Sequence, residues 1–158
     1  MRLKRLKIDG FKNLNNFELD FTEKDGTTVL IGNNGSGKSN VLEAISAIFT
    51  GLFKMSTPQR KPKFEYEIEY ELNDISYKMS LVKNKNIMNY KFYKNSNVLS
   101  VRDFKSNPYI HLPSKVILSY SGEENRIWKL YYKHLHNDFL DEIKSLPLTL
   151  YQYQDFWM

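Results

Sequence analysis

The chain has 158 residues, of which 41% are hydrophobic and 26% charged, and these proportions exclude a disordered or fibrous protein. It contains no cysteine, which excludes disulfides, cysteine nucleophiles and thiolate zinc sites and favours a reducing compartment. The formal net charge is +5, but 18 acidic residues are interspersed with the basic ones, so this excess is weak evidence for nucleic-acid binding.

No apolar run approaches the length of a membrane span. Residues 1–8 alternate charged and apolar side chains, which is not the pattern of a signal peptide. We therefore expect a cytoplasmic protein with no membrane partner.

Three strands are predicted before residue 32. Residues 2–9 and 17–21 alternate between apolar and charged side chains, which is the period of a half-buried strand. Residues 27–31 contain the continuous apolar run Val29-Leu30-Ile31, which predicts a buried strand.

The next stretch, Gly32-Asn33-Asn34-Gly35-Ser36-Gly37-Lys38-Ser39, matches the phosphate-loop pattern GxxxxGK followed by Ser or Thr. Glycine permits backbone angles that let successive N–H groups surround phosphate oxygens, and the lysine ammonium reaches the β- and γ-phosphates. The serine hydroxyl, here Ser39, is the predicted Mg²⁺ ligand. The alternative is a glycine-rich turn that binds nothing. The predicted nucleotide-binding residues are Gly32, Asn33, Asn34, Gly35, Ser36, Gly37, Lys38, Ser39 and Asn40.

A helix is predicted from the loop to about Phe49, with Gly51 as its C-terminal cap. Its apolar face is formed by residues at three- and four-residue spacing: Val41, Leu42, Ile45, Ile48 and Phe49. Residues 54–63 are polar, basic and interrupted twice by proline, which indicates a loop. Its basic cluster, Arg60, Lys61 and Lys63, is either a contact for a phosphate backbone or simply solvated.

An antiparallel β-meander is predicted over about 64–101, with strands at 64–72, 75–81 and 87–93. The connections are too short for the crossover helices that parallel strands need. Four glutamates alternate with the apolar residues of the first strand. We interpret them as a solvated face paired with Lys78 and Lys91 rather than as a metal or acid-base site.

Turns are predicted at 95–97 and 106–108, a short buried strand at 115–119 and a helix over about 123–146. Lys133, His134 and His136 are interpreted as ordinary surface residues of that helix. Three scattered histidines do not form the spacing of a metal site.

The nucleotide is predicted to be ATP, because the sequence has no guanine-specific NKxD motif and no arginine-rich lid after the loop. Residues 6–14, 31–40 and Leu42-Glu43-Ala44-Ile45 together resemble the SMC/RecF-like branch of ABC-type ATPases. They are also similar to the bacterial AAA-type ATPases of phage-defence and overcoming-lysogenisation systems.

The resemblance implies an α/β P-loop NTPase fold, specifically an ABC-ATPase-like N-terminal lobe with an antiparallel β-meander subdomain. It implies ATP and Mg²⁺ as ligands, homodimerisation with two nucleotides between the protomers, and coupling to DNA or to a fused nuclease. Lys12 and Asn13 match family positions near the nucleotide. Residues 119–123 fall where the family has its Q-loop, but they contain no glutamine.

Two family motifs are incomplete in this sequence. A Walker B strand needs four apolar residues followed by Asp-Glu, whereas the nearest stretch, 148–155, is broken by Gln152 and Gln154. Residues 119–123 resemble the LSGGE signature but lack one glycine. The sequence therefore identifies no catalytic residue.

We expect residues 1–158 to be the N-terminal lobe of a longer ATPase that binds ATP-Mg and gates a DNA-related or defence activity. The alternatives are a short, non-hydrolysing nucleotide-binding or interaction module and a DNA-binding module that uses no nucleotide.

Overall fold

The computed structural model describes residues 1–21, 27–55, 61–85 and 87–117, together with Lys133 and Asn137. The chain divides into two compact units, Met1–Tyr120 and Ser121–Met158. Lys133 and Asn137, in the second unit, are helical and exposed. Several predictions lie outside the described residues. They concern Arg60, the end of the 115–119 strand, the signature-like and Walker B-like stretches, and the rest of the C-terminal helix with its two histidines.

One six-stranded antiparallel sheet organises the first unit. Its order is β2-β1-β3-β4-β5-β6. The predicted strands at 2–9 and 17–21 and the predicted meander are confirmed, and β1 joins them by pairing with β3. The strands are β1 Arg2–Asp9, β2 Phe17–Asp20, β3 Glu65–Leu72, β4 Ile75–Asn84, β5 Ile87–Lys94 and β6 Asn97–Leu99.

Period-two alternation produces the two faces of this sheet. The inner face is fully buried along β3 and β4, where Ile68, Tyr70, Met79 and Leu81 are each 0% exposed. The outer face carries the glutamates. Lys78 binds the carboxylates of Glu67 and Glu69 at 2.8 and 3.2 Å, as predicted for a solvated face.

The remaining outer-face pairs differ in one respect from the prediction. Glu71 pairs with Lys4 and Arg2 of β1, and hydrogen bonds from these two cations lower the pKa of the Glu71 carboxyl. Within the described ranges, Lys91 forms no ion pair with the glutamates. The pairing of β1 with β3 therefore supplies cations that the meander alone does not provide.

Helix α1, Lys38–Phe53, starts at the predicted phosphate loop. Its buried side includes Val41, Ile48 and Phe49, as predicted, and the Phe49 ring lies 6.2 Å from that of Tyr70 on β3. Leu42, predicted on this face, is 37% exposed. The buried residues of α1 extend beyond the predicted face and include polar side chains such as Glu43 and Ser46, so most of the helix circumference is buried.

The predicted end of α1 is wrong. The helix continues to Phe53, and Gly51 is a buried residue inside it rather than a cap. Leu52 is 0% exposed. Burying this leucine stabilises the fold by about 2 kcal/mol, which exceeds the cost of about 1 kcal/mol for a glycine within a helix.

A second short helix, α2 Val101–Ser106, lies where only a turn at 106–108 was predicted. The Ser100 hydroxyl caps it by accepting a hydrogen bond from the Asp103 N–H at 3.0 Å. Phe104 is 0% exposed, with its ring 4.4 Å from that of Phe92 on β5. A 3-10 helix, Pro108–Ile110, follows. A helix this short has too little periodicity to be recognised, although the serine three residues before an acidic residue is a capping signal.

Tyr70 fastens the segment after α2 to the sheet. Its hydroxyl donates to the His111 carbonyl at 2.6 Å, and burial raises the pKa of that hydroxyl. The His111 ring stacks on Phe104 at 5.6 Å, and burial lowers the pKa of the imidazole. This segment therefore covers the Tyr70 end of the inner face.

The two predicted buried strands at 27–31 and 115–119 are wrong where the structure describes them. Residues 27–31 and 115–117 have no strand structure, and Ile31 and Ile117 are 91% and 87% exposed. A buried strand needs neighbours on both edges to pair its backbone groups and cover its side chains. Neither segment pairs with a strand of the described sheet. The part of the chain that the structure describes thus consists of one antiparallel sheet with few helices, which is consistent with a P-loop NTPase-like fold.

No helix in the part of the chain that the structure describes is both long and apolar enough to span a membrane.

Candidate phosphate-binding site

The loop at residues 32–37 leads from the exposed segment 27–31 into the N-terminus of α1. Gly35 and Gly37 have φ angles of 83° and 99°, which are in the left-handed region that favours glycine. The Ser36 N–H donates to the Asn33 carbonyl at 3.2 Å and closes a turn. A Cβ at Gly32 would lie 2.8 Å from the Ser36 Oγ. The glycines of the motif thus occupy positions where a side chain is strained or obstructed.

The Lys38 ammonium lies inside the loop. It donates to the carbonyls of Gly32 and Asn33 at 2.6 and 2.7 Å and lies 3.4 Å from the Ser36 Oγ. Among the described residues no carboxylate contacts it. The charge is therefore held by neutral dipoles, which are weaker partners than phosphate oxygens.

Several backbone donors at the loop and the helix start are unpaired. The N–H groups of Gly35, Gly37, Lys38 and Ser39 have no acceptor among the described residues. The positive end of the helix dipole adds to their partial charges. The loop therefore offers unpaired N–H groups and one ammonium, which is the donor set that a phosphate chain requires.

A tight turn from β1 lies against this loop. The N–H of Leu14 donates to the Phe11 carbonyl at 2.8 Å, which places Lys12 and Asn13 at the tip. The Asn13 amide donates to the Gly35 carbonyl at 3.3 Å and accepts from Asn40 at 2.7 Å. The structure thus brings both family-matched residues, Lys12 and Asn13, to the loop and helix start.

Glu43 is a site residue that the sequence reasoning missed. Its side chain is 3% exposed, and its carboxylate accepts a hydrogen bond from the Lys12 ammonium. The helical period gave no signal for its burial, because Glu43 falls on the side of α1 opposite the predicted apolar face.

Ser39 is exposed and in the first turn of α1, as a Mg²⁺ ligand of a phosphate loop must be. Within the described ranges, no three Asp, Glu, His or Cys residues are grouped to hold a metal ion. Mg²⁺ in such sites is held by one or two protein groups together with phosphates and water, so one hydroxyl is compatible with it. The residues present therefore fit ATP with Mg²⁺. Bound Mg²⁺ would neutralise charge on the phosphates.

Replacing Gly37 with alanine is expected to destabilise the protein more than the same change at Gly10. Both glycines have positive φ, 99° and 78°, so both substitutions carry a left-handed penalty of about 1–2 kcal/mol. A Cβ at Gly37 would also lie 3.1 Å from the Asn13 amide and 3.2 Å from Leu14, whereas a Cβ at Gly10 meets nothing within 4 Å. Urea unfolding of both variants measures the difference. Equal losses would show that Gly37 is not packed against the turn.

A family model described as an AAA domain matches residues 5–151 of the chain. The DNA replication and repair protein RecF of Clostridium acetobutylicum is 47% identical over 45 residues, covering 28% of this chain and 12% of the relative. The DNA double-strand break repair Rad50 ATPase of Methanosarcina mazei is 51% identical over 53 residues, covering 34% and 4%. The retron Vc95 probable ATPase of Vibrio cholerae is 30% identical over 103 residues, covering 54% and 20%.

The chain thus spans between 4% and 20% of the length of these relatives. A solved structure, from work titled as the ATP-driven dimerization and DNA-stimulated activation of SMC ATPases, aligns with a TM-score of 0.48. It is 17% identical, and the alignment covers 90% of this chain and 99% of the other.

Proposed function

Because the chain belongs to the AAA domain family, we propose that residues 32–40 bind the phosphates of ATP and that Ser39 binds the accompanying Mg²⁺. The resemblance to SMC/RecF-like ATPases, expected from the N-terminal motifs, is confirmed by this family match and by the RecF and Rad50 relatives. The chain is accordingly an ATPase domain of the RecF, Rad50 and SMC type.

The observation that carries the proposal is the position of the Lys38 ammonium. It contacts two loop carbonyls at 2.6 and 2.7 Å, and in the described part of the chain four neighbouring N–H groups, those of residues 35 and 37–39, have no acceptor. Charge-assisted hydrogen bonds to phosphate are about twice as strong as those to neutral groups. A triphosphate that enters the loop therefore replaces weak partners of the ammonium with strong ones.

For the whole protein that contains this domain, we propose that ATP binding drives homodimerisation of the domain. We also propose that dimerisation gates a DNA-related or defence activity in the cytoplasm. The names of the relatives support this: two are DNA repair proteins and one belongs to a retron. Residues 1–158 would form the N-terminal lobe in such a protein.

A second candidate, a nucleotide-binding module that does not hydrolyse ATP, is favoured by the carboxylates near the loop. Among the described residues, Glu43 is the only carboxylate that contacts the turn beside the loop. Its side chain is buried and paired with Lys12 of that turn. It is therefore not free to orient an attacking water. For the 158-residue chain itself, we propose binding of ATP without turnover.

Isothermal titration of the purified chain with Mg-ATP, Mg-ADP and AMP tests the phosphate site. We expect affinity to fall in that order, because each phosphate removed takes away contacts with the loop. Equal affinity for AMP and ATP would locate binding at the base instead. Absence of binding at about 1 mM ATP, the weak end of specific binding, would refute the proposal.

A phosphate-release assay on the same preparation separates the two candidates. The chain alone is expected to release phosphate at the background rate. Sustained turnover that is lost in Lys38→Ala would contradict the non-hydrolysing candidate and indicate a complete catalytic site.

A further inference from the structure

Glu43 is a carboxylate buried beneath the candidate nucleotide site. Its side chain is 3% exposed, and it lies on α1 just after the phosphate loop. Burying a carboxylate costs several kcal/mol unless it is paired. In the described part of the chain, Lys12 is the only cation that contacts it. The ion pair therefore ties the β1 end of the sheet to the first turns of α1.

Lys12 is held in an unusual backbone conformation to make this contact. Its φ of 54° is left-handed, which is uncommon for a residue other than glycine, asparagine or aspartate. Such conformations cost about 1–3 kcal/mol and persist where the surroundings hold them. The ammonium also lies 5.5 Å from the centroid of the Phe11 ring and 3.5 Å from the Asn40 Oδ1.

Asn13, the next residue, contacts the phosphate loop itself. Its amide donates to the Gly35 carbonyl and accepts from Asn40. Because the peptide group is planar, holding the Gly35 carbonyl also fixes the N–H of the following residue. Asn13 thus connects the middle of the loop to the first turn of α1.

We propose that the turn Phe11–Leu14 is a brace for the phosphate loop, with Asn13 as its positioning residue and the Lys12–Glu43 ion pair as its anchor. The proposal deepens the proposed function and rests on it for its effect on ATP. In this arrangement Lys12 acts through Glu43, and it does not contact the phosphates. The turn holds the loop in its binding conformation before the ligand arrives, which reduces the ordering cost of binding.

A double-mutant cycle with Lys12→Met and Glu43→Gln tests the anchor. Lys12→Met leaves the Glu43 carboxylate buried and unpaired, and we expect Mg-ATP affinity to fall about tenfold. Adding Glu43→Gln removes that charge, so the double variant is expected to recover to within about threefold of Glu43→Gln alone. A double variant as weak as Lys12→Met would show that Lys12 contacts the phosphates and would overturn the anchor.

A second measurement needs no nucleotide. ¹⁵N relaxation of Gly35 and Gly37 is expected to show order parameters near 0.85 in the parent protein and below about 0.6 in Asn13→Ala. The matched control is Asn89→Ala on β5, where the amide contacts only the Ile87 carbonyl among the described residues. Loop order unchanged in Asn13→Ala would overturn the brace.

The two measurements distinguish the brace from the proposed function. A parent protein that does not bind ATP but loses loop order in Asn13→Ala would refute ATP binding and keep the brace. If Lys12→Met does not fold, the loop order measured in Asn13→Ala tests the brace, since this substitution removes no charge from a buried pair.

Discussion

Replacing Lys38 with alanine is expected to weaken Mg-ATP binding by about 10- to 100-fold, because hydrogen bonds to charged groups contribute about 1.5–3 kcal/mol. The ammonium lies between the Gly32 and Asn33 carbonyls, inside the loop where the phosphates would bind. Its loss removes the one cation that the described structure places within the loop. Isothermal titration with Mg-ATP measures the effect.

The matched control is Lys105→Ala, which removes the same charge from an exposed position on α2. It is expected to change affinity less than twofold. Lys38→Arg is a sharper variant: it keeps the charge, but its planar fork does not match the space between two carbonyls at 2.6 and 2.7 Å. We expect it to bind as weakly as Lys38→Ala. Undiminished binding by Lys38→Ala would place the nucleotide elsewhere.

Replacing Phe104 with alanine is expected to lower the free energy of unfolding by about 3–5 kcal/mol, the usual cost of removing a buried aromatic ring. Phe104 is 0% exposed, and its ring packs against Phe92 and His111 at 4.4 and 5.6 Å. It is the one buried residue of α2. Urea denaturation followed by circular dichroism measures the loss.

The control for this prediction is Val98→Ala on β6, where the side chain is 80% exposed. That change is expected to stay within about 0.5 kcal/mol. A loss below about 1 kcal/mol for Phe104→Ala would mean that α2 is not packed on β5 in solution. Phe104→Ala does not alter the phosphate loop. Its ATP affinity below the unfolding transition is therefore expected to match that of the parent protein.

The meander and the N-terminal strands were predictable because their pattern is local. Tyr66, Ile68 and Tyr70 alternate with glutamates over residues 65–71, and period two is sufficient to specify a strand and its buried face. The conformation of the glycine-rich loop was predictable for a related reason. Positive φ at Gly35 and Gly37 depends on the residue type itself.

Apolar character misled the prediction at residues 27–31 and 115–117. A run of valine, leucine and isoleucine specifies that a segment is suited to burial, but burial also requires neighbouring strands. Val29 is 73% exposed, and residues 27–31 pair with no strand of the sheet that the structure describes. The end of α1 was predicted too early for the opposite reason. Burial of Leu52 extended the helix past a glycine that was predicted to end it.

The sequence by itself determined β1 to β5, the conformation of the glycine-rich loop and the start of α1, because these depend on residue type and on neighbours within a few positions. Only the tertiary structure decided that β1 pairs with β3, that Asn13 contacts Gly35 across 22 positions and that Glu43 is paired with Lys12 across 31. A local pattern specifies the conformation of a segment and the polarity of its faces. Which distant segment meets each face is set by the closure of the whole fold, and the support of the phosphate loop is one result of that closure.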